Sequence, residues 1–242
     1  MSEPLSLSRT DDVFLLTFTA GENRWNTTFV RQLNAALDEV ERSTGPAALV
    51  TTADSPKFYS NGLDLAWIQD PAAHPEGGDR EVFGDEFMTC MSRLITFPIP
   101  TLACINGHAF GAGFMAALCH DVRFARADRG FICANEMQLG LAIPKPELAL
   151  FRHKLAANVF FETVQLAKRW TGPAALTAGI VEQIEEPDTL LPAALERAAA
   201  LAPLGGNREL YRQQKELLYG EDAAINQRHG AAYMLRNLSE FY

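Results

Sequence analysis

The stretch ACINGHAFGAGFMAALCHDVRFA, residues 103–125, decides the fold because it reads as a strand, a glycine-bearing turn, a buried helix and a second strand. The first strand ends at Asn106, and the helix covers residues 111–119. A glycine such as Gly111 lets a ligand approach the backbone closely. The N–H groups at the start of a helix carry partial positive charge and can bind a negative oxygen. The stretch therefore predicts a parallel β/α unit with an anion-binding turn.

Strand and helix patterns alternate on both sides of this stretch. Strand patterns occupy residues 5–9, 13–19, 47–53 and 100–107, and helix patterns follow Asn26, cover 81–97 and dominate after Pro146. Asn26 is a typical helix N-cap, and the Gly/Pro/Asp-rich residues 70–80 are expected to be mobile. The order predicts an α/β fold with a core over residues 1–190. Residues 191–242 are predicted to form a C-terminal helical region that packs on the core or on a neighbouring subunit.

The composition excludes several classes of protein. The chain has 242 residues, 48% hydrophobic content and a net charge of -9, which disfavours binding to nucleic acid or to an anionic membrane surface. No apolar run approaches the roughly 20 residues of a membrane span. The four cysteines lack CxxC spacing, so we expect reduced core residues and no metal site. The first residues do not resemble a signal peptide and the last three do not resemble a peroxisomal address, so the cytoplasm is the expected location.

Two further segments carry chemistry. The loop KFYSNGLDL, residues 57–65, places Gly62 at a second tight turn, so that two backbone N–H groups aimed at one point would form an oxyanion hole. The segment ICANEMQLGLAIPKP, residues 132–146, holds one carboxylate, Glu136, among apolar neighbours. Burying an unpaired carboxylate costs several kcal/mol. Glu136 is therefore either at a wet turn or held ready for chemistry.

Together these motifs resemble the crotonase (enoyl-CoA hydratase/isomerase) superfamily over roughly residues 10–185. The segments KFYSNGLDL, ACINGHAFGAGFMAALCHDVRFA, ANEMQLGLAIP and TGPAALTAGIVEQI match that family's motifs in order. The resemblance implies a spiral of ββα units, a homotrimer or dimer of trimers, and binding of an acyl-CoA thioester. It implies no metal, and no cofactor other than the CoA carried by the substrate.

The resemblance also assigns roles to residues. It implies that the thioester oxygen lies between the N–H groups of Leu63 and Ala112. The segment at Arg24 and Trp25 matches the part of the family that lines the CoA site. The residues implied in binding substrate or CoA are Arg24, Trp25, Lys57, Ser60, Asn61, Gly62 and Gly111. Arg24 and Lys57 are candidates for the CoA phosphates, with a solvated surface charge as the alternative, and Asn61 either faces the ligand or closes an Asx turn.

Met115 departs from the hydratase pattern. Hydratases of this family hold a water between two glutamates, one matching Glu136 and the other matching Met115, and a thioether cannot act as a base. The Δ3,Δ2-enoyl-CoA isomerases of unsaturated fatty acid β-oxidation keep one glutamate and are similar to this sequence, so we expect Glu136 to shuttle a proton from C2 to C4. The alternatives are another acyl-CoA reaction, such as hydration, hydrolysis or decarboxylation, or a non-catalytic CoA-thioester binding protein. Hydration would need Glu147, or another carboxylate, to replace the missing partner.

Overall fold

The computed structural model describes residues 4–70, 78–221 and 229–241, and the stretch predicted to be mobile lies largely outside these ranges. The strands are β1 Leu5–Thr10, β2 Val13–Phe18, β3 Ala48–Ala53, β4 Phe58–Ser60, β5 Thr101–Ile105, β6 His108–Phe110, β7 Val122–Arg126, β8 Ile132–Cys133 and β9 Gln183–Glu185. The α-helices are α1 Thr27–Arg42, α2 Leu65–Gln69, α3 Gly78–Ile95, α4 Ala112–Leu118, α5 Lys145–Lys154, α6 Ala157–Val164, α7 Gly172–Thr177, α8 Pro187–Leu201, α9 Arg208–Tyr219 and α10 Ala231–Arg236. Short 3₁₀ helices cover Glu136–Leu139, Ala202–Gly206 and Leu238–Glu240.

The strands form two sheets, and the chain visits them in turn. The larger sheet has the order β1-β2-β3-β5-β7-β9, antiparallel between β1 and β2 and parallel elsewhere. The smaller sheet is parallel, with the order β4-β6-β8. Each of β3, β5 and β7 is thus followed by a strand of the smaller sheet and then by helical structure. This repeat is the predicted spiral of ββα units.

Burial explains why the central strands are so apolar. Every residue of β3, β5 and β7 is buried, as expected for parallel strands covered on both faces. On one face α8 packs through Leu190, Ala194 and Ala198. On the other face the main core holds the apolar sides of α1, α3 and α4. Within the described ranges, no helix is long and apolar enough to cross a bilayer.

Several local predictions are confirmed and others are wrong. The Asn26 side chain accepts the Phe29 N–H at 3.0 Å and begins α1 as predicted. The sequence patterns placed β4 and β6 in loops, and β9 in a helical region, because three residues are too few to show a strand period. The helix predicted over 81–97 begins earlier and runs over Gly78–Ile95.

The C-terminal helices pack on their own chain. In α9, Lys215 forms an ion pair of 2.9 Å with Asp121, which lies just before β7. On α3, Ser92 donates a hydrogen bond of 2.7 Å to the Ala232 carbonyl of α10. The division into regions at residue 190 remains a prediction, and that residue lies within α8.

Candidate active site

A cavity of about 240 Å³ opens where the turns after β4, β6 and β8 meet. It is lined by Arg24, Asn61, Gly62, Leu63, Leu65, Gly111, Ala112, Asn135, Glu136, Leu139 and Leu141. Seven of these residues were expected at the site from the sequence, including Glu136 and the two residues expected to form an oxyanion hole, Leu63 and Ala112. Because each turn belongs to a different ββα unit, the fold brings together segments that are far apart in the chain.

The loop after β4 presents the N–H of Leu63. The Trp25 N–H donates to the Gly62 carbonyl, and the Asp64 N–H donates to the Trp25 carbonyl, both at 2.9 Å. These bonds fix the backbone on either side of Leu63, whose own N–H donates to no acceptor in the described parts of the chain. Gly62 has a φ of +80°, a conformation that favours glycine.

The turn after β6 presents a second N–H close to the first. Gly111, with a φ of +48°, precedes α4 and donates its own N–H to the Cys133 carbonyl at 2.9 Å. The N–H of Ala112 has no acceptor among the described residues. A Cβ atom on Gly62 would lie 3.7 Å from the Ala112 nitrogen and only 2.9 Å from the Phe110 oxygen. The two turns therefore touch backbone to backbone, and glycine is required at the contact.

Glu136 faces this pair of N–H groups. It begins the 3₁₀ helix after β8, and its Oε1 lies 2.9 Å from the point where a Cβ of Gly111 would be. Its Oε2 is buried and has no hydrogen-bond partner within the described residues. Burial raises the pKa of Glu136 above the usual value of a glutamate, which makes its carboxylate a stronger base. Glu136 is thus half-buried at the cavity wall, and no cation of the described ranges forms an ion pair with it.

Glu22, which the sequence patterns did not single out, organises the cavity mouth. Its Oε2 accepts from the Arg24 Nε at 2.7 Å and from the Asn61 amide at 3.0 Å. These two hydrogen bonds lower the pKa of Glu22. Arg24 also donates to the Leu63 carbonyl at 3.4 Å, which ties it to the N–H-bearing loop. The sequence did contain one indication of this role, because Glu22 is an acidic residue only two positions before Arg24.

The placement of Trp25 and Ser60 corrects the expectation that they contact substrate or CoA. Both side chains are fully buried, and the Trp25 indole N–H donates to the Ser60 hydroxyl at 3.0 Å. Ser60 in turn donates to the Asn23 carbonyl at 2.7 Å. Trp25 also packs edge-on against Phe29 with ring centroids 4.7 Å apart. The pair lies beneath the cavity and supports its loops.

Lys57 is exposed and lies outside the cavity that contains Glu136. It lines a larger space of about 430 Å³ together with His108 and Arg129. Its ammonium lies 4.9 Å from the ring centroid of Phe58. Neither Glu136 nor the N–H groups of Leu63 and Ala112 line this larger space, so we place the chemistry in the smaller cavity.

Four further lining residues were not predicted as site residues: Leu65, Asn135, Leu139 and Leu141. Leu139 and Leu141 are about half exposed, at 53% and 45%, and form an apolar wall beside Glu136. They lie in the same segment as Glu136. The sequence does not identify them as site residues, because apolar residues in that segment are equally typical of a buried core. Met115 is completely buried in α4, as expected for a core-facing residue.

Comparisons by sequence find similar known proteins. A family model described as enoyl-CoA hydratase/isomerase matches residues 9–239. The chain is 32% identical over 226 residues to the enoyl-CoA delta isomerase 2, peroxisomal, of Arabidopsis thaliana, covering 91% of this chain and 94% of that protein.

Solved structures give the same result for the fold. An apo enoyl-CoA isomerase of Mycobacterium tuberculosis matches with a TM-score of 0.77 and 28% identity, over 89% of this chain and 91% of that one. A structure named as a probable enoyl-CoA hydratase, from Mycobacterium tuberculosis H37Rv, matches with a TM-score of 0.77 and 27% identity, over 88% and 87% of the two chains. Both structures are of the same Mycobacterium tuberculosis protein, which one names as an isomerase and the other as a probable hydratase.

Proposed function

The chain belongs to the enoyl-CoA hydratase/isomerase family, and we propose that it is a Δ3,Δ2-enoyl-CoA isomerase that works with a single catalytic base, Glu136. Its substrate is a 3-enoyl-CoA thioester, and its product is the conjugated 2-enoyl-CoA. One observation carries the proposal. A carboxylate oxygen of Glu136 lies beside two N–H groups that have no acceptor within the described residues. Met115, which is apolar and buried, occupies the position that the family resemblance matches to the second glutamate of the hydratases.

The mechanism needs one proton and one pair of N–H donors. The Glu136 carboxylate removes a proton from C2, and the electrons of that C–H bond move into the thioester carbonyl to form a dienolate. The dienolate oxygen accepts hydrogen bonds from the N–H groups of Leu63 and Ala112, each of which contributes about 3 kcal/mol in comparable sites. Protonated Glu136 then returns the proton to C4, and the double bond moves to C2–C3. The reaction needs no cofactor beyond the CoA of the substrate.

Other proposals concern the surroundings of the site. Arg24 lines the cavity and is a candidate to bind a phosphate of CoA. To do so, its guanidinium must either bind the phosphate and Glu22 together or exchange its hydrogen bond to Glu22 for one to the phosphate. Lys57, which is exposed at the start of the loop over residues 57–65, is the second candidate. We propose a homotrimer or a dimer of trimers, in which the exposed Leu139 and Leu141 are covered by substrate or by another subunit. The cytoplasm remains the proposed location, whereas the Arabidopsis thaliana relative is named as peroxisomal.

The test is a steady-state assay with a 3-enoyl-CoA, following the absorbance of the conjugated thioester, with hydration of a 2-enoyl-CoA measured in parallel. We expect fast isomerisation, negligible hydration, and a fall of about 10² to 10⁴ in kcat for Glu136→Gln, the range for a lost general base. Glu162→Gln, on α6, is the matched control because that glutamate is paired with Lys168 at the surface.

Two outcomes would reject the proposal. Hydration or hydrolysis without isomerisation would assign another acyl-CoA reaction to the same oxyanion hole. Tight binding of the thioester without turnover, unchanged by Glu136→Gln, would make the chain a binding protein.

A further inference from the structure

A buried chain of hydrogen bonds joins the two elements that carry the N–H groups of the candidate site. The Tyr59 hydroxyl lies 2.8 Å from the Thr51 hydroxyl, which in turn lies 2.9 Å from Nε2 of His120. Nδ1 of His120 lies 2.8 Å from the Ala116 carbonyl oxygen. All three side chains are almost completely buried, with at most 1% of their surface exposed. We call the chain from Tyr59 through Thr51 and His120 to the Ala116 carbonyl the relay.

The relay has one direction of donation. A carbonyl oxygen only accepts, so Nδ1 of His120 carries the proton of the ring and donates it to Ala116. The other nitrogen of a neutral imidazole is an acceptor, so the Thr51 hydroxyl donates to Nε2 and accepts from the Tyr59 hydroxyl. Burial lowers the pKa of His120 to about 4 and raises the pKa of Tyr59, so both side chains are neutral around pH 7.

The two ends of the relay lie close in sequence to the two N–H groups. Tyr59 is in β4, four residues before Leu63. Ala116 is in α4, four residues after Ala112, which is about one helical turn. Between them, Thr51 belongs to β3 of the larger sheet. The relay therefore connects β4 and α4 to each other and to a buried strand.

A second contact between α4 and β4 lies at the start of the helix. A Cβ atom on Gly113 would be only 2.5 Å from the Ser60 carbonyl oxygen, so the first turn of α4 rests directly on the backbone of β4. A helix held at one point can still rotate about that point, whereas a second attachment fixes its angle. That angle matters because an oxyanion hole requires both donors to aim at the same oxygen.

We propose that His120 and Thr51 are positioning residues, which act through the relay to set the angle between α4 and β4, so that the N–H groups of Leu63 and Ala112 aim at one oxygen. The inference rests on the proposed function, in which that oxygen belongs to the dienolate. Neither His120 nor Thr51 lines the cavity. Buried polar groups are hydrogen-bonded in most protein cores, and a role in the core alone would affect stability but not hydrogen bonding to the substrate carbonyl.

The experiment compares two substitutions of Thr51. Thr51→Val keeps the shape of the side chain and removes the hydroxyl, whereas Thr51→Ser keeps the hydroxyl. The readout is the C=O stretch of hexanoyl-CoA, labelled with carbon-13 at the thioester carbon, in the infrared difference spectrum of the bound complex. This thioester has no double bond to move, so the stretch reports hydrogen bonding to the carbonyl independently of isomerisation.

Binding to the wild type should lower the frequency of the stretch, because two N–H groups donate to the carbonyl oxygen. Thr51→Val should show a smaller lowering, and its kcat for a 3-enoyl-CoA should fall about 10 to 100 times, up to the loss for a displacement of about 1 Å. KM should change less. Thr51→Ser should restore the wild-type frequency and most of kcat.

Thr163→Val is the matched control. Thr163 is also fully buried, and its hydroxyl accepts the Trp170 indole N–H at 3.0 Å, so the substitution likewise leaves a buried donor without its acceptor. Thr163 does not belong to the relay and does not line the cavity. This variant should lose stability but keep the wild-type stretch frequency and kcat.

The two readouts separate this inference from the proposed function. If Thr51→Val reduces the frequency shift but the wild type isomerises nothing, the proposed function fails and the positioning role stands. If isomerisation is fast and Thr51→Val matches Thr163→Val in stretch and kcat, the positioning role is overturned. A wild type in which the bound and free thioester have the same stretch also overturns it. Should Thr51→Val not fold, Tyr59→Phe, which removes only the last O–H of the relay, decides by the same criteria.

Discussion

Oε1 of Glu136 lies 2.9 Å from the point that a Cβ atom on Gly111 would occupy. The candidate base thus occupies the space that the missing side chain leaves open, directly beside the N–H of the next residue, Ala112. The glycine has two functions: it adopts a φ of +48°, and it makes room for the carboxylate.

Gly111→Ala should therefore inactivate the enzyme by displacing Glu136. A displacement of about 1 Å in a reacting group can cost on the order of 10² in rate, and we expect that loss in kcat with a smaller change in KM. Gly179→Ala is the control, since Gly179 has a similar φ of +71° and nothing within 4 Å of the added Cβ. Equal losses of activity in the two variants would mean that backbone strain, and not the carboxylate contact, is responsible.

Trp25→Phe should weaken the fold more than ligand binding. It removes the indole donor to Ser60 and leaves a gap in the aromatic cluster, which together should lower the free energy of unfolding by about 2 to 3 kcal/mol. Chemical denaturation measures this loss, and KM for the thioester should change less than about threefold. A large rise in KM at unchanged stability would return Trp25 to the ligand-contacting residues.

Glu22→Ala should raise KM several-fold with a small effect on kcat, because it releases Arg24 and Asn61 at the cavity mouth. Hydrogen bonds from Asn61 and Arg24 lower the pKa of Glu22, so the arrangement holds at neutral pH and is lost as the pH falls through that lowered pKa. KM of the wild type should rise over the same acid range, and that rise should be absent from the variant. Glu39→Ala, at an exposed position on α1, is the control; a matching rise in KM there would point to a general effect of surface charge.

Glu147→Gln should stabilise the protein at alkaline pH. The pKa of Glu147 is about 8 in the folded chain and near 4.5 when unfolded, so the folded state binds more protons between these values. The free energy of unfolding of the wild type, relative to that of the variant, is therefore highest below about pH 4.5. It declines as the pH rises and is lowest above about pH 8. Each pKa unit corresponds to about 1.4 kcal/mol. Melting temperatures from pH 4 to 9 should diverge in favour of Glu147→Gln, and parallel curves would show that Glu147 titrates normally.

The sequence predicted an α/β fold from its own patterns, and its resemblance to a known family predicted the ββα spiral and most of the residues of the cavity wall. Glycine-bearing turns after apolar strands mark the backbone at Gly62 and Gly111, and a single carboxylate in an apolar segment marks Glu136. These signals are local, so they can be read without knowing the fold. The strands β4 and β6 could not be read in the same way, because they are three residues long and their pairing is entirely non-local.

The depth of each side chain was the harder part to predict. Trp25 lies next to Arg24 in the chain, yet one is fully buried and the other reaches the cavity. Glu22 lies in the loop before α1, yet its side chain accepts a hydrogen bond from Asn61 in the loop after β4. Glu147 is in the first turn of α5, yet only 6% of its surface is exposed. Contacts of this kind depend on how successive ββα units stack, and a pattern within one segment does not contain that information.

The small parallel sheet also determines at which stage of folding this site is assembled. Its strands β4, β6 and β8 come from three distant segments, and the turns that follow them bring together the loop with Leu63, the start of α4 and Glu136. Pairings between distant segments form slowly, because each must first close a long loop. A nascent chain that ends before β8 has both N–H-bearing turns but no base. Catalytic competence should therefore appear late in folding, after most of the larger sheet has formed, and the recovery of activity on refolding should lag behind the recovery of secondary structure.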